Sequence, residues 1–253
     1  MGNYKDLEEK RVVITGAGRG IGLAIARRFV DEGAKVAILD WDKELLDSAL
    51  QNNPEFHGGF QADVSQPEDV ARSFAWVDDQ LGGIDVLVAN AGISYRSGFL
   101  SLDFDQWSKV LRVNLDGVFL CAQEAIKRMK EQNSGVLLFM GSTNGLEGHP
   151  FYADYNASKA GVIVLAQTLA LEFAPWLRVN AVCPGYVLTE MQKAEYSPEK
   201  LEALNEGIPL GRHARPEEVA ALFVFLASEQ AAFITGQAVP ICGGETAGLF
   251  QKE

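Results

Sequence analysis

RVVITGAGRGIG, residues 11–22, joins a β-branched run to a turn in which four of seven residues are glycine. Val12, Val13 and Ile14 suit a strand buried on both faces, and Ile21, Ile25, Ala26 and Phe29 then recur along one face of a helix. Glycines at such a junction let the chain turn tightly and bring backbone N–H groups up to a pyrophosphate, where the helix dipole favours anions. The spacing is Gly16-x-x-x-Gly20-x-Gly22; the commoner G-x-G-x-x-G fails because Ile21 stands where its last glycine belongs. A glycine-rich turn by itself is only a tight turn. Strand, helix and a downstream acid together predict dinucleotide binding.

That acid is Asp40, the last residue of the next apolar run and 18 residues beyond Gly22. A carboxylate there binds the ribose 2′-hydroxyl and repels a 2′-phosphate, so NAD is expected over NADP. Arg19 argues the other way, as a cation able to pair with a 2′-phosphate. Asp40 carries more weight, because like charges at hydrogen-bond distance cost several kcal/mol at an effective dielectric of about 20. The residue after it is Trp41, not a compensating arginine.

Working outward, strands are expected at 11–15, 35–40, 84–89, 135–140, 178–182 and 237–241, with a weaker one at 56–61 loosened by Gly58 and Gly59. A helical face recurs at Val70, Phe74, Val77 and Leu81, begun by a capping box from Ser65 to Glu68. Another helix opens at Arg215-Pro216-Glu217-Glu218. The alternation predicts an α/β fold, a single domain over 1–253 with a doubly wound parallel sheet of about seven strands and helices on both faces. About 30 residues separate the strand ending near Val182 from the helix at Pro216, too many for an ordinary connection. They read as a substrate lid at about 186–213, with apolar residues Tyr186, Met191, Tyr196, Leu201, Leu204 and Ile208 and a short helix started by Ser197-Pro198.

Tyr155 and Lys159 stand four apart in a helical stretch, so they share one face about 6 Å apart along the axis. A free phenol is a poor base at neutral pH, but a neighbouring ammonium and a cationic nicotinamide favour the phenolate. Tyr152 lies seven residues from Lys159, about 10.5 Å of rise, and is expected to line the pocket. An isolated Y-x-x-x-K also fits an amphipathic tyrosine beside a snorkelling lysine.

Thr15-Gly16-x-x-x-Gly20-x-Gly22, Asp63-Val64, Asn90-Ala91-Gly92, Asn114, Ser142, Tyr155-x-x-x-Lys159 and Pro184-Gly185 followed by Thr189 occur in this order. With that series the chain resembles the short-chain dehydrogenase/reductases over nearly its whole length. The resemblance implies a Rossmann fold and a catalytic set of Asn114, Ser142, Tyr155 and Lys159. It places Arg19 and Ile21 in the phosphate turn with its glycines, Asp40 and Trp41 beside the adenosine ribose, and Asp63 and Val64 at the adenine. Asn90, Ala91, Gly92, Pro184 and Gly185 would flank the cofactor, Val187 and Thr189 would bind the carboxamide, and Lys159 would hold the nicotinamide ribose. Asn114 would anchor a water that relays the proton from Lys159. Where the family often follows its last strand with Asp-Gly-Gly, this chain has Cys242-Gly243-Gly244.

The chain has 253 residues, 22 Lys plus Arg against 34 Asp plus Glu, and a formal charge of −12. That balance repels a phosphate backbone, and no basic stripe appears, so nucleic acid is not expected as a partner. No apolar run approaches the about 20 residues of a membrane span, which points to a cytoplasmic protein. Cys121, Cys183 and Cys242 are odd in number and separate from His57, His149 and His213, fitting reduced thiols and no metal site. Tyr95, Asn144, His149, Tyr152 and Tyr186 are the candidate substrate residues. Their polarity points to an NAD-dependent oxidoreductase that interconverts a sugar, polyol or small hydroxylated alcohol with its ketone or lactone. The alternatives are an NADP-dependent 3-oxoacyl thioester reductase and a non-catalytic dinucleotide sensor. A homo-oligomer, tetramer or dimer, is expected through the helices near 103–130 and 155–174 and the C-terminal GGETAGLF tail.

Overall fold

Val12 and Ile14 pack into one hydrophobic cluster and Val13 into another, so the first strand is buried from both sides. The computed structural model describes residues 4–190, 192 and 196–248. In it β1 (Arg11–Thr15), β2 (Lys35–Asp40), β3 (Gly58–Gln61), β4 (Val86–Ala89), β5 (Gly135–Met140), β6 (Leu177–Pro184) and β7 (Ala238–Ile241) form a sheet ordered β3-β2-β1-β4-β5-β6-β7. Every pairing is parallel. Among the described residues the helices are α1 (Gly20–Asp31), α2 (Lys43–Asn52), α3 (Pro67–Leu81), α4 (Phe104–Leu111), α5 (Gly117–Gln132), α6 (Ala153–Glu172), α7 (Pro198–Asn205) and α8 (Pro216–Ala227). Residues of α1, α2 and α8 share one cluster with the sheet, and those of α3, α5 and α6 share the other. The chain order reverses between β1 and β4, which opens a crevice at their carboxyl ends.

Each expected strand is present, three with the expected bounds and four with shifted ends. The strand expected from 84 starts at Val86, because Asp85 turns its carboxylate to Arg11, taking its backbone N–H at 2.9 Å and its guanidinium at 2.8 Å. The glycines of β3 do more than loosen an edge. A Cβ on Gly59 would lie 2.7 Å from Leu46 of α2, and one on Gly58 would lie 3.1 Å from Trp76 of α3.

Two local readings need correction. The capping box at Ser65–Glu68 does not form: Gln66 precedes α3 without a side-chain cap, Pro67 takes the first helical position, and the Ser65 N–H goes to Asp63 Oδ1 at 2.9 Å. Proline has no N–H to be capped, so the helix starts one residue later than the box requires. The second correction is α2, which the sequence reading passes over. Asp42 caps it by accepting from the N–H groups of Glu44 and Leu45.

Candidate active site

The turn after β1 is held by side chains from its neighbours. Thr15 Oγ1 accepts the N–H groups of Asn90 and Ala91, both at 3.1 Å, and Asn90 Nδ2 donates back to the carbonyls of Thr15 and Gly16 at 2.9 and 2.8 Å. Asn90 thus latches the end of β4 to the glycine turn. Gly16 and Gly20 have φ of +64° and +60°, the left-handed region that glycine adopts without strain. A Cβ on Gly16 would lie 2.7 Å from the Ala91 Cα, and one on Gly22 would collide with the Gly16 carbonyl and Asn90 Nδ2. Gly18, which the sequence reading leaves without a role, brings its N–H to Asp40 Oδ2 at 2.8 Å, and a side chain there would strike that carboxylate.

Asp40 ends β2 and also accepts the Asp42 N–H at 3.1 Å. Its carboxylate is therefore fixed at the edge of the crevice while Arg19 and Trp41 beside it are exposed. Ile21 follows Gly20 in the first turn of α1. Val64 is buried after β3, against Gly117 at the start of α5, and Asp63 spends one carboxylate oxygen on the Ser65 N–H. Pro184 closes β6, the Gly185 N–H donates to the Ile241 carbonyl of β7, and Val187 forms a bridge with Ala214 at the start of the long 186–213 segment. Thr189 lies over the glycine turn, its methyl 3.9 Å from where a Gly20 Cβ would stand. The cradle of glycines, required by close contacts at Gly16, Gly18 and Gly22 and by positive φ at Gly16 and Gly20, with an N-terminal helix end and a fixed acid, fits a nicotinamide dinucleotide.

Asn114 sits in a single π-helical turn, Arg112–Asp116, between α4 and α5. Its side chain accepts from the Ile93 N–H at 2.8 Å and donates to the Ile93 carbonyl at 2.9 Å and to Ser158 Oγ at 3.1 Å. A Cβ on Gly92 would stand 3.3 Å from Asn114 Oδ1 and 3.5 Å from Lys159 Nζ, so the bare glycine leaves open the space between these two groups. Lys159 is fully enclosed and its Nζ donates to the Met140 carbonyl at 2.7 Å. Burial lowers its pKa to about 8. The same Nζ lies 5.6 Å from the centre of the Tyr155 ring. Ser142, after β5, is buried and accepts the Asn144 N–H at 3.1 Å. Gly145 ends that turn, and a Cβ there would strike the Lys159 backbone, so its bareness lets the turn seat on α6.

Ser142 and Tyr155 line a cavity of about 130 Å³ together with Asn144, His149, Tyr152 and Tyr186, four of the five substrate residues expected from sequence. Tyr95, the fifth, is not in that lining; it is partly exposed, with Lys109 Nζ 5.6 Å from its ring. The Tyr152 hydroxyl meets that of Tyr196 at 2.7 Å. Tyr186, Gln192 and Tyr196 of the 186–213 segment thus reach the cavity, and Met191 lies outside the described residues. Sequence reasoning missed Ser94, Thr143, Gln192 and Glu245 in the lining, and it took Tyr196 only as an apolar lid residue. Glu245 is the one acid in residues 231–250, but nothing local in the sequence points it to the cavity. Among the described residues no cluster of metal-ligating side chains occurs and no helix is long and apolar enough to cross a membrane.

The chain is also similar to proteins already known. The family described as enoyl-(acyl carrier protein) reductase matches residues 16–246. The chain is 40% identical over 242 residues to meso-2,3-butanediol dehydrogenase of Serratia marcescens, covering 95% of this chain and 96% of that protein. It is also 40% identical over 243 residues to a 3-oxoacyl-[acyl-carrier-protein] reductase of Thermotoga maritima, covering 94% and 98%. A crystal structure of a short-chain type dehydrogenase/reductase from Mycobacterium marinum superposes with a TM-score of 0.89 at 34% identity, over 96% of this chain and 97% of that one.

Proposed function

Because the chain belongs to the short-chain dehydrogenase/reductase family, we propose that it oxidises a secondary alcohol of a sugar, polyol or small hydroxylated compound to the ketone or lactone, with NAD as acceptor and Tyr155 as general base. The observation that carries this reading is Lys159 Nζ 5.6 Å from the ring of Tyr155, which lines a cavity together with Ser142. A nicotinamide dinucleotide bound at that turn supplies the hydride acceptor. The Ser142 hydroxyl holds the substrate oxygen, and the Tyr155 phenolate takes its proton. The Lys159 ammonium favours that phenolate and hands the proton outward past Asn114. In the reverse direction Ser142 and Tyr155 donate to the developing oxyanion.

The preference for NAD is supported by Asp40, whose carboxylate is fixed by two backbone N–H groups where a 2′-phosphate would come. The reading extends to a homo-oligomer in the cytoplasm, supported by exposed apolar residues on α4, α5 and α6 and by three free cysteines. The 40% identity to a 3-oxoacyl reductase keeps that activity as the rival. Formation of reduced nicotinamide from NAD and, in parallel, NADP across polyols, sugars, hydroxy acids and 3-hydroxyacyl thioesters separates the two. We expect turnover of a hydroxylated alcohol with NAD, reduced at least about 100-fold in Tyr155→Phe. Tighter binding of NADPH than NADH, or activity that survives Tyr155→Phe and vanishes in Tyr152→Phe, would overturn it.

A further inference from the structure

Two acceptor oxygens in the wall of the cavity have nothing to accept. Gln192 Oε1, in the lid, and Glu245 Oε2, in the segment after β7, are buried without a hydrogen-bond partner among the described residues. Both side chains line the cavity that holds Ser142 and Tyr155. A buried acceptor left unmade costs about 1–3 kcal/mol, and two in one small cavity ask for donors from a ligand.

The placement of Glu245 is built into the backbone. Gly243 and Gly244 have φ of +64° and +96°, a reversal open to glycine, and it swings the chain back from β7 over the carboxyl edge of the sheet. Gly185 then accepts the carboxylate, since a Cβ at that position would strike Glu245 Oε2. Burial pushes the Glu245 carboxyl above its ordinary pKa, opposed by the nearby His149, reinforced by Glu147, and opposed again by a hydrogen bond from the Thr143 side chain, so that the unpartnered oxygen is Oε2 alone. The terminal torsions of Glu and Gln are broad, so a rotation there presents either oxygen to the cavity.

We propose that Gln192 and Glu245 form a subsite for a second hydroxyl of the substrate, so that the cleft selects vicinal diols and polyols over mono-alcohols. This rests on the alcohol-oxidation reading above and adds what chooses among alcohols. A hydroxyl donates to either acceptor, whereas a carboxylate or phosphate at the same place brings a third acceptor and a like charge. A site built to bond a substrate hydroxyl rejects the analogue that lacks it, because its own polar groups stay unpaired.

The test compares butane-2,3-diol, butan-2-ol and 3-hydroxybutyrate as substrates for the wild type and for Glu245→Leu, Gln192→Leu and the isosteric Glu245→Gln. Saturation-transfer NMR of the diol in the presence of NADH reads binding whether or not turnover occurs. We expect the wild type to prefer the diol to both others in kcat/KM. Each leucine variant should cut the diol-to-butan-2-ol ratio at least about 10-fold, mainly through KM, and lose the diol NMR signal, with Glu245→Gln falling between. Unchanged ratios or an unchanged NMR signal in both leucine variants would sink the subsite, as would preference for 3-hydroxybutyrate. Should the wild type turn over neither alcohol, the oxidation reading fails and the NMR comparison alone decides the subsite. Should a leucine variant fail to fold, the ratio in Glu245→Gln and in the other variant decides.

Discussion

Lys159 holds its position against solvation. Its ammonium is wholly buried with the Met140 carbonyl at 2.7 Å, and burial brings its pKa from 10.5 to about 8. Below about pH 8 the folded protein carries a charge that the unfolded chain would rather hydrate, a cost of roughly 3 kcal/mol. As pH rises from about 8 to 10.5 the folded state releases this proton first, and the cost fades. Lys159→Met should therefore raise stability by about 1–2 kcal/mol at pH 7 after the lost hydrogen bond is counted. Urea unfolding without cofactor should show the gap closing toward pH 10; a variant less stable than wild type, or a gap flat with pH, would refute the account. The Tyr155–Lys159 pair was legible because four residues along a helix is a local distance. Glu245 was not, since its meaning depends on Gly185, 60 residues away in sequence.

Elements carry the cofactor turn. Gly22 lies in the first turn of α1, and a Cβ there would press on the Gly16 carbonyl and on Asn90 Nδ2. Gly22→Ala must spread the junction of β1 and α1 or break the Asn90 latch, an overpacking cost of about 1–3 kcal/mol. Titration of the protein with NADH, followed by nicotinamide fluorescence, should show affinity at least about 10-fold weaker. Wild-type affinity in this variant would separate the latch from dinucleotide binding. The strands were readable because β-branched runs with both faces buried announce themselves. Helix α2 was not, since only Leu46 and Ala49 of its ten residues are buried, too narrow an apolar stripe to stand out. The π-helical turn at Asn114 has no local signature either, and it shows only in the bonds Asn114 makes to Ile93 and Ser158.

At the scale of the whole molecule, the described surface of α4, α5 and α6 exposes several large apolar side chains. Phe104 is 78% exposed, Leu171 84% and Val164 58%, and Phe119 on α5 adds to them. Scattered exposed apolar residues are ordinary, but a group on α4, α5 and α6, of which α4 packs on α6, supports the proposed oligomer. Light scattering of the purified protein at micromolar concentration should report two or four copies, and Leu171→Glu should shift the population toward monomer; a wild-type monomer would remove the oligomer from the proposed function. The sequence by itself determined the parallel sheet, the glycine turn with its acid, and the Tyr155–Lys159 spacing, because each is written in residues a few positions apart whose periodicity and chemistry are local. Only the tertiary structure decided which side chains share the cavity. Gln192, Tyr196 and Glu245 reach it from the lid and from the segment after β7, while Tyr95, nearer in sequence to Asn90, stays out. That choice depends on where chain reversals such as Gly243-Gly244 return the backbone to the sheet edge, a long-range property that no local pattern encodes.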